Sequence, residues 1–191
     1  MPAKIAKANL RPVRQRTQYS CMSASMAMAL QANGRDCTED EVNKVMGARA
    51  MKGASWEDAI ACAQHYGMKA VLMCPCSVGQ LKRWTDMGFP VIIAWNPEDR
   101  EWAHASTVFD VSDDGTVFVA DPNIPDPDEL VRRMPKAAFY KKWAEKHSNG
   151  YLIRRPALAV LPEISSDGRQ LWASGDGPPS PARVANRYLY R

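Results

Sequence analysis

Residues 14–34 read RQRTQYSCMSASMAMALQANG, and the position of Cys21 within that run decides how the chain is read. From Cys21 onward the residues are Ala, Met, Ser and Leu, a helical composition that Asn33-Gly34 brings to a favourable C-terminal stop. Ser20 stands at the N-cap, so Cys21 falls at the positive end of a helix dipole, where a thiolate is favoured. Gln15 lies six residues earlier. Far downstream, residues 102–123 read WAHASTVFDVSDDGTVFVADPN. This puts His104 at the start of one strand and Asp121 at the end of the next.

Those four residue types are what thiol-based acyl transfer needs. A cysteine attacks a carbonyl only as the thiolate. An imidazole within hydrogen-bond reach pairs with the thiolate and later protonates the leaving amine. An acidic or amide side chain fixes the imidazole tautomer. A side-chain amide such as that of Gln15 suits the tetrahedral oxyanion. Taken singly, each residue also has a structural reading. A cysteine in an apolar helix is ordinarily core, which suits Cys37 and Cys62. Cys74 and Cys76 read as small residues in a turn. His65 and His147 sit near helix ends, where a cation complements the dipole. The ordered set Gln15, Cys21, His104, Asp121 is the specific signal.

Bulk composition sets the limits. With 191 residues, 46% hydrophobic and 24% charged, the chain fits one globular domain with appendages. Residues 1–16 carry five basic side chains and no acid, so the net charge of +4 leaves the remainder at −1. That arm lacks interleaved aromatics, so no nucleic-acid partner is expected. No run is long and apolar enough to span a bilayer, and residues 1–20 lack the apolar centre of a signal peptide. Neither a membrane nor an export signal is expected. Five cysteines leave at least one thiol unpaired, which points to a reducing compartment. No Cys/His spacing suits zinc, and nothing calls for a cofactor.

The remaining pattern is mixed. Thr38 and Glu41 form a capping box opening a helix to about Met46, and Ser55 and Asp58 open another that stops at Gly67. That helix carries Trp56, Ile60 and Ala63 on one face. Residues 70–73 read as a short strand, and Ser77 caps a helix running to Gly88. Residues 90–95 form an apolar strand followed by a turn at 96–99. Residues 104–111 alternate, with His104, Ser106, Val108 and Asp110 on one face and Ala105, Phe109 and Val111 on the other. A hairpin turn at 112–115 leads to a returning strand at 116–120. Pro135 opens a late helix to about His147, and residues 151–161 read as a closing strand. The expected fold class is α+β, with N-terminal helices packed on an antiparallel sheet. Three regions follow: a basic arm at 1–14, a domain at 15–161 and a Pro/Gly/Ser-rich tail at 162–191. Disorder, docking on a partner chain and folding back over its own domain all remain open for the tail, given its Leu171, Trp172, Tyr188, Leu189 and Tyr190.

The Gln15–Gly34 run, with His104 and Asp121-Pro122, resembles the C39 peptidase family and its C39-like relatives, thiol enzymes of the papain fold. In that family a Gln stands six residues before the catalytic Cys. The catalytic His there begins a strand, and its Asp closes the next in a short Asp-Pro sequence. PVIIAW at 90–95 is similar to the family strand before the His, and the likeness spans roughly residues 10–125. It implies a cysteine peptidase with Cys21 as nucleophile, His104 as general base and acid, and Asp121 orienting His104. Gln15 and the Cys21 N–H would form the oxyanion hole, with Gln18 as the other candidate donor. The implied substrate is a peptide or isopeptide amide, with a small residue such as Gly before the bond.

The best-known members are N-terminal domains of bacteriocin exporters. No membrane or ATPase segment appears here, so a standalone bacterial or bacteriophage type is expected, cytoplasmic or in a phage particle. Two positions depart from the family: Met22 where Gly usually follows the nucleophile, and Ala103 where Gly or His often precedes the His. A bulky Met there either narrows the substrate cleft or marks a fold kept for another purpose. The rival readings are a non-catalytic component of a larger assembly, such as a phage virion, and a cell-wall amidase. Both of the enzyme readings order Cys before His.

Overall fold

The computed structural model describes residues 10–50, 52–97, 103–124, 130–146 and 150–162. The expectations for residues 1–9, for His147 and for the tail beyond 162 lie outside the described residues. Three helices come first: α1 (Cys21–Ala32), α2 (Glu39–Met46) and α3 (Trp56–His65). Then follow β1 (Met68–Met73), α4 (Val78–Asp86), β2 (Val91–Trp95), β3 (His104–Val111), β4 (Val117–Ala120) and β5 (Val131–Met134). The described chain closes with α5 (Lys136–Lys142), β6 (Ala144–Lys146), β7 (Leu152–Arg154) and β8 (Ala157–Pro162).

Local chemistry explains the helix starts. Thr38 with Glu41, Ser55 with Asp58 and Ser77 with Gln80 each form a reciprocal capping box, satisfying first-turn N–H groups that have no intrahelical partner. Helix α1 begins differently. Ser20 occupies the N-cap, but its hydroxyl accepts from the Thr17 N–H and donates to the Thr17 carbonyl instead of capping the helix. The first-turn amides of α1 are therefore not consumed by a side-chain cap.

Six strands form one antiparallel sheet in the order β1-β8-β2-β3-β4-β5, while β6 and β7 pair as a separate ribbon. One face of the sheet carries α1, α2 and α3 over Ile92, Ala94, Ala105, Leu158 and Val160. The other carries Leu81 and Trp84 of α4 and Phe139 of α5 over Val91, Ile93, Trp95, Val108 and Val119. The α+β class holds, with helices on both faces.

Three local expectations are corrected. The strand expected at 151–161 is two strands, broken where Arg155 takes φ 55 ahead of Pro156. Its second half, β8, lies between β1 and β2, buried on both faces, which is why it reads ALAVL without alternation. The late helix ends at Lys142, because Trp143 leaves helical geometry to bury its indole against Phe139 and donate to the Pro156 carbonyl at 3.0 Å. Finally, β3 does not alternate throughout. A register shift between Val108 and Asp110 turns Val111 onto the Val108 face, where both join the α4 core.

Candidate active site

Helix α1 brings Cys21 to the sheet because its residues are small. Residues 22–30 are all buried, and the small side chains among them let the helix pack against both α2, where the Ser23 hydroxyl donates to Asn43, and β3. Two contacts set its position along the strand. The Ala105 N–H approaches the Cys21 Sγ at 3.5 Å, and the Thr107 hydroxyl donates to the Ser25 carbonyl at 3.2 Å. The half-buried sulfur of Cys21 thus sits beside the first residues of β3.

Antiparallel pairing brings the other two groups together. Thr107 pairs with Ala120 across β3 and β4, so Asp121, the next residue, lies level with the start of β3. His104 Nε2 and Asp121 Oδ1 are 2.6 Å apart. With Nε2 engaged by Asp121, Nδ1 is the ring nitrogen left to interact with Cys21. The structure therefore brings Cys21, His104 and Asp121 together at the start of β3.

The charges on these three groups are mutually stabilised. Burial raises the Cys21 thiol, but the His104 hydrogen bond and charge and the Ala105 and Met22 N–H groups outweigh it, and the thiol falls below 9.0. Burial alone would depress His104, yet Asp121 and Cys21 raise it to about 9. Burial likewise opposes ionisation of Asp121, but His104, the Asn123 N–H and Arg132 hold its carboxyl below the usual range. The other four cysteines move the opposite way. Burial pushes Cys37 to about 11, Cys62 and Cys76 to about 12, and Cys74 upward. Cys37, Cys62 and Cys76 are buried, as a core reading expects.

These shifts carry a stability consequence. A raised His104 contributes stability that is full below its ordinary 6.5 and lost as pH rises through about 9. A lowered Cys21 contributes stability present above 9.0 and lost as pH falls through its folded value. Where the two windows overlap, the effects oppose one another. In Cys21→Ala the opposing contribution is gone while Asp121 still raises His104, so urea denaturation should show that variant losing stability relative to wild type as pH rises from 6.5.

Gln15 is near the group but differently engaged. Its backbone N–H donates to the Pro122 carbonyl at 2.9 Å, tying the segment before α1 to the loop carrying Asp121. Its side-chain Nε2 donates to the Thr17 carbonyl at 2.7 Å, and its Oε1 is buried without a partner. Gln18 is exposed. Met22 is buried in the core beneath α1, which corrects the expectation of a side chain narrowing the cleft. Ala103, partly buried, packs against the same core.

Arg132 is the residue that sequence reading missed. It lies on β5, and its Nε donates to Asp121 Oδ2 at 2.6 Å. The run VRRM has no apolar alternation to mark it as a strand; its only signal was two adjacent arginines shortly after the Asp-Pro step.

A model of the peptidase C39-like family matches residues 7–151. The chain belongs to the peptidase C39-like family. Three solved structures are similar to this C39-like chain in fold. The double glycine motif protease from an AMS/PCAT transporter, in complex with its leader peptide, is 19% identical with a TM-score of 0.62, over 83% of this chain and 95% of that one. The peptidase domain of Streptococcus ComA, a bifunctional ABC transporter of a quorum-sensing pathway, is 17% identical with a TM-score of 0.64, over 81% and 100%. A protein described as a C39-like peptidase from Bacillus anthracis is 16% identical with a TM-score of 0.60, over 82% and 96%. No curated protein sequence matches the chain. Family and fold together support a cysteine-peptidase-like function for this C39-like chain. Among its described residues, no cluster of His, Cys, Asp or Glu could hold a metal ion, and no helix is long and apolar enough to cross a membrane.

Proposed function

We propose that the chain is a cysteine peptidase that cleaves a peptide or isopeptide amide through an acyl-enzyme. The observation carrying this reading is the group Cys21–His104–Asp121, in which the one cysteine with a lowered pKa faces a histidine held by a buried carboxylate. In the reaction, the Cys21 thiolate attacks the carbonyl carbon and the carbonyl oxygen becomes the oxyanion. His104 then gives its proton to the leaving amine, the C–N bond breaks and the acyl group remains on sulfur. Water, deprotonated by His104, attacks the thioester, and release of the acid restores Cys21 as thiolate. Asp121 keeps the His104 ring in the plane and tautomer this requires.

The Cys21 backbone N–H and the second hydrogen of the Gln15 amide are the proposed oxyanion donors, with the Thr17 carbonyl holding that amide in place. An extended peptide is the proposed substrate, since a relative in fold is described in complex with a leader peptide. The non-catalytic reading drew on Met22 and on the chain ends. Met22 lies in the core, and residues 1–9 and 163–191 lie outside the described residues.

The test is incubation with a peptide library carrying small residues before the scissile bond, quenched in acid and read by intact mass. A wild-type acyl adduct on Cys21 is expected. In Gln15→Ala it should form about 10²-fold more slowly, the usual cost of one oxyanion donor. Cleavage should decline on the alkaline side near pH 9, where His104 no longer carries the proton for the leaving amine. Absence of any adduct, with cleavage also absent, refutes the proposal.

A further inference from the structure

Asp121 is held from two sides. Its Oδ1 accepts from His104 Nε2 at 2.6 Å and from the Asn123 N–H at 3.0 Å, while Oδ2 accepts from Arg132 Nε at 2.6 Å. The carboxylate is 1% exposed and the Arg132 side chain 32% exposed. The reaction proposed above uses only the Oδ1 side, so it leaves the Arg132 contact unexplained. We infer that Arg132 is a positioning residue for His104 that acts through Asp121, clamping the far carboxylate oxygen and offsetting part of its charge.

The local backbone makes this contact specific. Strand β5 pairs with β4 so that Ala120 faces Val131 and Val119 faces Arg132, and the Asp121 N–H donates to the Leu130 carbonyl at 2.7 Å. The two adjacent arginines then diverge. Arg133 lies over the Phe118 ring, 5.4 Å from its centroid, while Arg132 reaches the buried carboxylate. The pleat sends these neighbours to opposite faces, and it is Arg132 that the register places beside Asp121.

The physical need is a balance. A buried carboxylate facing His104 alone would bind the imidazolium proton more tightly, because nothing else would screen its charge at low dielectric. Such a histidine is a poorer acid toward a leaving amine. It would also be free to tilt with a carboxylate anchored at one oxygen only. Arg132 from β5 counters both effects. The charged groups in the set are His104 from β3, Arg132 from β5 and Cys21 from α1, with Asp121 between the first two.

This inference rests on the peptidase reading, and one experiment separates the two. Full-length wild type, Arg132→Met, Arg132→Gln and Arg132→Lys are titrated by NMR of the His104 ring, assigned with His104→Ala, alongside alkylation of Cys21. Wild type should titrate near 9. Both neutral variants should titrate about one pH unit higher, the scale of a lost neighbouring charge. Arg132→Lys, which keeps the charge, should stay at the wild-type position. Two neutral variants are included so that misfolding of one leaves the comparison intact. If wild-type Cys21 is activated but the neutral variants titrate with wild type, Arg132 has no such role. An Arg132→Lys shift as large as that of Arg132→Met would overturn the inference equally. If wild-type His104 titrates at its ordinary value beside an unreactive Cys21, the peptidase reading falls and this inference falls with it.

Discussion

Replacing His104 with alanine is expected to slow alkylation of Cys21 at pH 7 by about 10- to 100-fold. A thiol at its ordinary 9.0 is only about 1% ionised at pH 7. Burial without the histidine would reduce that fraction further, whereas beside His104 the thiol is lowered. Part of the gain is offset because a less basic thiolate is also a weaker nucleophile, which sets the lower end of the range. The variant should remain folded, since Asp121 keeps Arg132 and the Asn123 N–H as partners. Second-order rate constants with iodoacetamide, followed by intact mass, measure the effect. An unchanged rate in a folded variant would remove His104 from the activation of the thiol.

Asp121→Ala should be the most disruptive substitution in the site. It removes the acceptor for His104 Nε2, the Asn123 N–H and Arg132 Nε together, within a fully buried position. Breaking a buried charge pair from one side typically costs about 3–5 kcal/mol. Partial exposure of Arg132 lets water recover some of that, so a loss of about 3 kcal/mol in urea unfolding is expected here. Reactivity should fall as well, because a histidine without its carboxylate returns toward its ordinary value and stabilises the thiolate less. Asp121→Asn separates these effects: the amide keeps an acceptor oxygen for one donor, so stability should suffer less while Cys21 reactivity still drops. Equal stability of wild type and Asp121→Ala would show that this carboxylate anchors nothing.

Much of this arrangement was legible because it is written in local chemistry. The capping boxes at Thr38, Ser55 and Ser77 mark three helix starts through residues adjacent in sequence. The turn at 112–115 sets β4 antiparallel to β3, which brings the end of β4 and Asp121 to the His104 end of β3, with the bulge after Val108 setting the final register. What was not legible depends on long-range packing. No pattern within 151–161 says that β8 will insert between β1 and β2, and its unalternating ALAVL only hints at burial on both faces. The bulge near Phe109 reverses one step of an otherwise plain alternation. Trp143 ends α5 early because its indole finds a carbonyl 13 residues away. Arg132 escaped notice for a related reason: an edge strand with two arginines in its middle looks like a loop until its neighbour is known. Met22 looked like an obstacle beside Cys21, but the turn of α1 carries it into the core.

The measurement that bears most directly on Cys21 as nucleophile is alkylation of the full-length wild type at pH 6, with the modified residue mapped by peptide mass. One fast adduct, located on Cys21, is the expected result, because the other four thiols are all pushed upward by burial. Slow labelling spread over several cysteines, or an adduct on Cys74 ahead of Cys21, would contradict the account.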